Sequence, residues 1–210
     1  FLASNSMNGF YSFFDDFRDA KNGWYNYIIK GGPGTGKSTA MKYIANQLQK
    51  LGEEIIVGPC SSDPDSLDAV ILPNQKIIIT DGTAPHILEP KFVGATDRIV
   101  NFGDAFDFNY LISKREKIIE TSEKISDIYK RVYRYTKVLG TLKLDIEKLC
   151  NNSVNTEKVI KHAKKLCNKY INKTDKNSYH KGCFLSALTH KGIVEFTETI
   201  NNLSDKVVAI

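Results

Sequence analysis

Apolar positions follow a strand rhythm in the first hundred residues and a helical rhythm afterwards. Residues 24–29 form an aromatic and β-branched run, Trp24, Tyr25, Asn26, Tyr27, Ile28 and Ile29, that predicts a buried strand. Residues 38–51 place Met41, Ile44, Ala45 and Leu48 on one helical face, with Gly52 as the stop. Ile55, Ile56 and Val57 predict a second strand, ended by Gly58 and Pro59. Asp63 before Pro64 is an N-cap followed by proline at the first helical position, which predicts a short helix there. Residues 76–80 predict a third strand ending on Asp81, and residues 98–102 a fourth, stopped by Gly103. Strands alternating with helices imply an α/β fold whose parallel sheet is covered by helices. Ahead of it, Phe10, Tyr11, Phe13, Phe14 and Phe17 follow the break at Asn8-Gly9 in a loose helical pattern, predicting a short helix against the core.

The period then lengthens. Leu111, Ile118, Ile125, Val132, Leu139 and Ile146 recur every seventh residue. Ile128, Tyr135, Leu142 and Leu149 form a second such series offset by three, with Lys114 and Thr121 as its polar early members. One helix over 109–150 is expected, roughly 60 Å long at 1.5 Å per residue. After a turn at Asn151-Asn152-Ser153, a second helix should carry Val159, Ile160, Ala163, Leu166, Cys167, Tyr170 and Ile171 on one face. A helical hairpin packed on its own core is the simpler expectation. A coiled coil with another subunit or domain is the alternative. Residues 172–182 are polar and read as a loop.

The end of the chain echoes its beginning. At an offset of 183, Phe1, Leu2, Gly9 and Phe13 meet Phe184, Leu185, Gly192 and Phe196. Ser6 meets Thr189, Phe10 meets Ile193, Phe17 meets Ile200 and Tyr27 meets Ile210. In the first copy the closing apolar run leads into a glycine-rich loop. The expected organisation is a nucleotide-binding core over 1–108, a basic helical insert over 109–172, and a stretch over 183–210 that returns to the core or begins a second repeat.

Composition is that of a water-exposed globular chain, with 41% hydrophobic and 25% charged residues. No apolar run approaches the ~20 residues a bilayer span needs, so no membrane partner is expected. There is no signal-peptide pattern. Cys60, Cys150, Cys167 and Cys183 are far apart and form no C-x-x-C, which reads as reduced thiols in a cytoplasmic protein. The net charge of +5 is uneven: residues 110–175 hold 16 Lys/Arg against 8 Asp/Glu. The basic character therefore belongs to the helical arm, whose partner should be acidic.

The chemistry is concentrated in Gly31, Gly32, Pro33, Gly34, Thr35, Gly36, Lys37, Ser38 and Thr39, which match G-x-x-x-x-G-K-[ST], the phosphate-binding P-loop. Glycines let the backbone curl so that successive N–H groups converge on phosphate oxygens at a helix N-terminus. Lys37 is expected to reach the β- and γ-phosphates and the Ser38 hydroxyl to ligate Mg²⁺. Asp81, after an apolar strand, stands where a Walker B aspartate would hold the metal. Gly82 follows it, so no Asp-Glu pair supplies a base. Thr83 and His86 lie beyond it, with His86 a candidate base, γ-phosphate sensor or donor to a group that itself holds the metal or phosphate, or a loop histidine. Asp63 is a weaker candidate for a second substrate. Arg98, Arg131 and Arg134 are weaker still as phosphate-neutralising groups. Asn172-Lys173-Thr174-Asp175 spells the guanine-reading N-K-x-D, but it follows an amphipathic helix instead of an apolar strand and is read as coincidence.

The run Thr80-Asp81-Gly82-Thr83-Ala84-Pro85-His86, with Glu89-Pro90, Gly94-Ala95 and Asn101-Phe102-Gly103, resembles a bacterial family of predicted P-loop ATPases with two P-loop halves in tandem. Residues 60–68 are similar to a second hallmark of that family, and Glu89 stands where its members are expected to carry aspartate. The resemblance covers most of the chain. It implies ATP, and it implies that this chain is the first half of a longer protein. Three functions fit these residues. One is an ATPase that couples hydrolysis to conformational change, with the arm as moving or partner-binding part. The second is a kinase for a nucleotide or other small molecule, and the third is a nucleotide-dependent scaffold without turnover. The partners implied are ATP, and a second P-loop half or a homo-oligomer formed through the arm.

Overall fold

The computed structural model describes residues 1–84, 87–171 and 181–204. The chain opens with an antiparallel hairpin, β1 (Ala3–Ser6) and β2 (Gly9–Ser12), followed by 3₁₀ turns at Phe14–Phe17 and Ala20–Asn22. The core elements follow: β3 (Tyr25–Lys30), α1 (Lys37–Lys50), β4 (Ile56–Pro59), β5 (Leu67–Leu72), β6 (Ile77–Asp81) and β7 (Asp97–Asn101). The helical arm comprises α2 (Phe108–Ser113), α3 (Arg115–Asn151) and α4 (Thr156–Tyr170). A second hairpin, β8 (Ser186–Thr189) and β9 (Gly192–Glu195), precedes α5 (Glu198–Leu203).

Five strands form one sheet in the order β4-β5-β6-β3-β7. β3 runs parallel to β6 on one side and to β7 on the other. β5 runs antiparallel to both β4 and β6, so the sheet is mixed and not parallel throughout. This corrects the helix expected after Asp63-Pro64. Asp63 does cap a turn: its carboxylate accepts from the Ser66 hydroxyl at 2.7 Å and from the Asp65 N–H at 3.2 Å. The turn then releases the chain into Leu67, Asp68, Ala69, Val70, Ile71 and Leu72. Five of these six residues are buried, which a strand between two neighbours allows and a one-faced surface helix does not.

The strand period of two divides the apolar side chains between the faces. Val70, Leu72, Ile77, Ile79 and Ile29 pack with Met41, Ala45 and Leu48 of α1. Glycine ends that helix in a Schellman arrangement: Gly52, at φ +78°, donates to Gln49 O, and Glu53 N donates to Leu48 O. Ala69, Ile71 and Ile78 face the other way, onto Leu2, Ala3, Phe14, Phe17 and Trp24. The cover on this face is the hairpin and the 3₁₀ turn, not the helix expected over the Phe10–Phe17 stretch. Met7-Asn8 forms the hairpin turn and Gly9, at φ +99°, opens β2, while Phe14 and Phe17, three apart, come onto one side of a 3₁₀ turn.

The long helix is interrupted at Lys114, which separates α2 from α3 with φ −106° and ψ 9°. The 37 residues of α3 span about 55 Å. α3 crosses the first hairpin, where the Tyr133 hydroxyl donates to Asn5 Oδ1 at 2.7 Å. At Gly140 a β-carbon would lie 2.5 Å from Met7, so the glycine admits that side chain. The heptad positions find no cover. Ile125, Leu139, Leu142, Ile146 and Leu149 are exposed, as are Val159 and Ile160 on α4, and neither helix contains a buried residue. Two helices joined by a turn are present, but the shared core expected between them is not. Among the described residues no helix is long and apolar enough to cross a membrane. The last residues of the stretch over 183–210, 205–210, lie outside the described residues.

Because Ile71 is fully buried on an interior strand of the mixed sheet, Ile71→Ala is expected to cost about 2–5 kcal/mol. Urea unfolding measures this. A loss below about 0.5 kcal/mol, the ordinary range for a surface position, would contradict the place of β5 in the sheet.

Candidate functional site

Parallel pairing of β3 with β6 sets Ile29 beside Asp81, so both strands end at the same edge of the sheet. The glycine loop leaves β3 at that edge and enters α1 at Lys37. Gly34 and Gly36 adopt φ +79° and +83°, the left-handed conformation that side-chain-bearing residues rarely take. Gly31 and Gly32 are glycines for a different reason. A β-carbon on Gly31 would sit 2.9 Å from Thr35 Oγ1 and 3.0 Å from Phe102 Cβ, and one on Gly32 would sit 3.2 Å from the Phe106 ring. The Thr35 hydroxyl closes the turn by donating to Gly32 O at 2.8 Å.

The first helical bond runs from Ala40 N to Gly36 O. The N–H groups of Gly34, Thr35, Gly36, Lys37 and Ser38 therefore donate to no partner among the described residues. They form a row of orphan donors at the positive end of a 14-residue helix. Lys37 is buried and folds back over the loop, donating to Gly31 O and Gly32 O at 2.9 Å each. Its ammonium lies 3.7 Å from Asp81 Oδ2. The other Asp81 oxygen accepts from the Thr83 N–H at 2.9 Å and from the Thr83 hydroxyl. Lys30 ties the following loop to the sheet edge, donating to Gly82 O, Leu88 O and Glu89 Oε1 at 2.7–2.9 Å.

Lys37 and Asp81 thus converge, as their spacing in the sequence suggests. Ser38 has a partner the sequence did not signal. Its Oγ accepts from the Leu67 N–H at 3.0 Å, tying the start of α1 to the start of β5. The hydroxyl keeps a proton and a lone pair. Mg²⁺ on a nucleotide needs only one or two protein oxygens beside phosphate and water, so Ser38 and Asp81 fit that demand. Among the described residues no cluster of three or more His, Cys, Asp or Glu offers a self-sufficient metal cage. Phe102 and Phe106, which wall the loop from the β7 side, were also missed, because only the backbone path brings them there. Pro33 and Thr39 are exposed at the loop's outer side. His86 lies outside the described residues, and so does the N-K-x-D run.

The weaker candidates lie apart from this centre. Asp63 is held below the usual carboxylate range by the Ser66 hydroxyl. It closes the loop at 60–66, of which Ser61 is fully buried. Arg98 stacks over Tyr27 at 5.9 Å from the ring centroid, and Arg131 and Arg134 lie on the exposed side of α3. Protein-family models, curated proteins and solved structures were compared with the chain, and none matches it.

Cys60 begins the loop beside the site. Burial, and Asp68 next, push its thiol up to about 12, while Cys150, Cys167 and Cys183 are exposed. Alkylation at pH 8 followed by mass spectrometry is therefore expected to modify those three in the folded protein and Cys60 only after unfolding. Equal labelling of all four would contradict the burial of that loop.

Proposed function

We propose that the chain binds Mg·ATP in the loop at 31–39 and belongs to a P-loop NTPase that hydrolyses ATP to drive conformational change. One observation carries the reading: five orphan backbone donors at a helix N-terminus surround a buried lysine whose ammonium lies 3.7 Å from a carboxylate on the neighbouring strand. That arrangement supplies what phosphoryl transfer asks of a protein, positioning and charge neutralisation. In this reading the N–H groups cradle the β-phosphate, and Lys37 exchanges a backbone carbonyl for a phosphate oxygen. Ser38 and Asp81 hold the metal, and His86 assists the attacking water or senses the γ-phosphate. The mixed sheet is accommodated, because the two strands that frame the loop remain parallel neighbours. Four cysteines outside any disulfide suit a reducing, cytoplasmic setting, and the basic arm suits an acidic partner. The resemblance to the tandem P-loop ATPases supports ATP over other nucleotides.

A kinase is the second reading, and one feature favours it. A cavity of about 440 Å³ is lined by Ser61, Ser62, Tyr129, Thr136, Thr189 and His190, beside the loop that ends on Ser38's partner Leu67. Its walls are mostly apolar, with Ile128, Val132 and Leu188 among them, and the Ser62, Tyr129, Thr136 and Thr189 hydroxyls are the polar groups that would orient a small acceptor. Phosphate release without an added acceptor supports the ATPase, and transfer to a metabolite supports the kinase.

Lys37→Ala is expected to weaken Mg·ATP binding or turnover on the order of 100-fold or more with thermal stability retained. Isothermal titration and a melt measure both, and parental binding in the variant would contradict the proposal. Asp81→Asn is expected to lose about 10–100-fold of the Mg²⁺-dependent part and much less of metal-free nucleotide binding. Equal losses with and without Mg²⁺ would make Asp81 a structural residue.

A further inference from the structure

The glycine loop has two unlike sides. On the β6 side lie the charges, with the Lys37 ammonium 3.7 Å from Asp81 Oδ2. On the β7 side the wall is aromatic. Parallel pairing sets Asn101, the end of β7, beside Lys30, the end of β3, and the chain turns there through Phe102–Ala105 into Phe106. The Asn101 side chain holds that turn. Its Oδ1 accepts from the Gly103 N–H at 2.9 Å, and its Nδ2 donates to Asp104 Oδ1 at 2.6 Å. The turn lays the Phe106 ring against the loop. The tip of the ring is 3.2 Å from where a β-carbon on Gly32 would stand, and its edge is 3.5 Å from the same point on Gly103.

Phe108 continues this wall. Its ring meets Phe106 edge to face, with centroids 6.3 Å apart and planes at 79°. Asp107, between them, caps α2 by accepting from the Tyr110 N–H at 3.0 Å, which fixes Phe108 as the first residue of that helix. Phe106 is half-buried against the loop, whereas Phe108 is 62% exposed. Two nearly perpendicular rings therefore form an open corner beside the cradle. Large exposed aromatic rings are costly in water, and their flat faces suit a flat apolar ligand.

Charge decides which way a nucleotide runs across the loop. The metal and the terminal phosphate belong with Lys37 and Asp81, where β3 adjoins β6. The inner phosphates follow the row of N–H groups from Gly34 to Ser38. The nucleoside end then leaves on the side away from Asp81, and β7 is the neighbour of β3 on that side. The aromatic corner stands there.

We propose that the purine base of the nucleotide stacks on the exposed ring of Phe108, with Phe106 as the second wall of the corner. This rests on the phosphate cradle at 31–39 and assigns the base-binding half of the same site. Stacking reads ring area, so the corner selects purines over pyrimidines. Phe108 also opens α2, the root of the helical arm. The base end of the nucleotide therefore touches the arm directly. The phosphate end reaches it through Ser38, Leu67 and the bond from Tyr129 to Ser62. One bound nucleotide thereby joins the arm to the core at both of its ends, which the triphosphate alone does not do.

Isothermal titration of the protein with Mg·ATP, Mg·CTP and Mg·tripolyphosphate separates the two halves of the site. Phe108→Ala should weaken ATP about ten-fold and leave tripolyphosphate unchanged, with the parental circular dichroism. Phe108→Trp, which keeps a stacking surface, should retain ATP affinity. The parent should bind CTP several-fold more weakly than ATP, and Phe108→Ala should narrow that gap to about two-fold or less. Tyr43→Ala removes another exposed aromatic ring, on α1, and should change none of these affinities. Parental ATP affinity in Phe108→Ala, equal losses of ATP and tripolyphosphate in that variant, or a loss in Tyr43→Ala in its place would overturn the base site while the cradle stands. Failure of the parent to bind tripolyphosphate would overturn the cradle, and the base site with it.

Discussion

The parallel register of β3 and β6 is the constraint on which the rest depends. Pairing Ile29 with Asp81 brings the start of the glycine loop and a carboxylate to the same edge. A shift by one residue would turn every side chain of β6 to the opposite face. Ile78 would leave the cluster with Phe14 and Trp24, and Asp81 would leave Lys37. The apolar packing on both faces therefore holds a polar geometry that neither face contains. Ile78, Val70 and Ile71, all fully buried, contribute to the site by keeping two strand ends level.

The mixed sheet changes how the site is bounded. An antiparallel β5 starts at the same edge where β3 and β6 end, and its first N–H, from Leu67, reaches Ser38. The loop at 60–66 is thereby fastened to the first turn of α1. Its other side meets the arm and the second hairpin: Tyr129 donates to Ser62 Oγ, His190 bonds to Ser62 O, and Lys191 pairs with Asp65. A change at Ser38 thus has a short mechanical route to α3 and to the β8–β9 hairpin. A nucleotide-driven movement of the arm would use that route.

Legibility in the sequence followed from how many structures a local signal admits. Residues 24–29 and 76–80 read correctly as strands, because runs buried on both faces suit little else. The loop at 31–39 was legible because left-handed turns and close approach to Phe102 demand glycine at fixed positions. Asp63-Pro64 was ambiguous in principle, since an aspartate that caps a helix also caps a tight turn, and only the sheet decides. The direction of β5 follows from its neighbours, which no local pattern encodes. The aromatic cluster at 10–17 fitted a helix as well as a hairpin plus a 3₁₀ turn. The interval of 183 was weak in identities, yet both copies fold as hairpins of the same register with a glycine at positive φ after the turn.

The central claim is that the orphan N–H groups at the end of β3 are a phosphate cradle governed by Lys37 and Asp81. Amide NMR of the ¹⁵N-labelled protein titrated with Mg·ATP tests it most directly. The account predicts large, saturable shifts confined to Gly34, Thr35, Gly36, Lys37 and Ser38, with Thr83 following only when Mg²⁺ is present. Saturable shifts elsewhere with this row unmoved, or no shift at millimolar nucleotide, would contradict it.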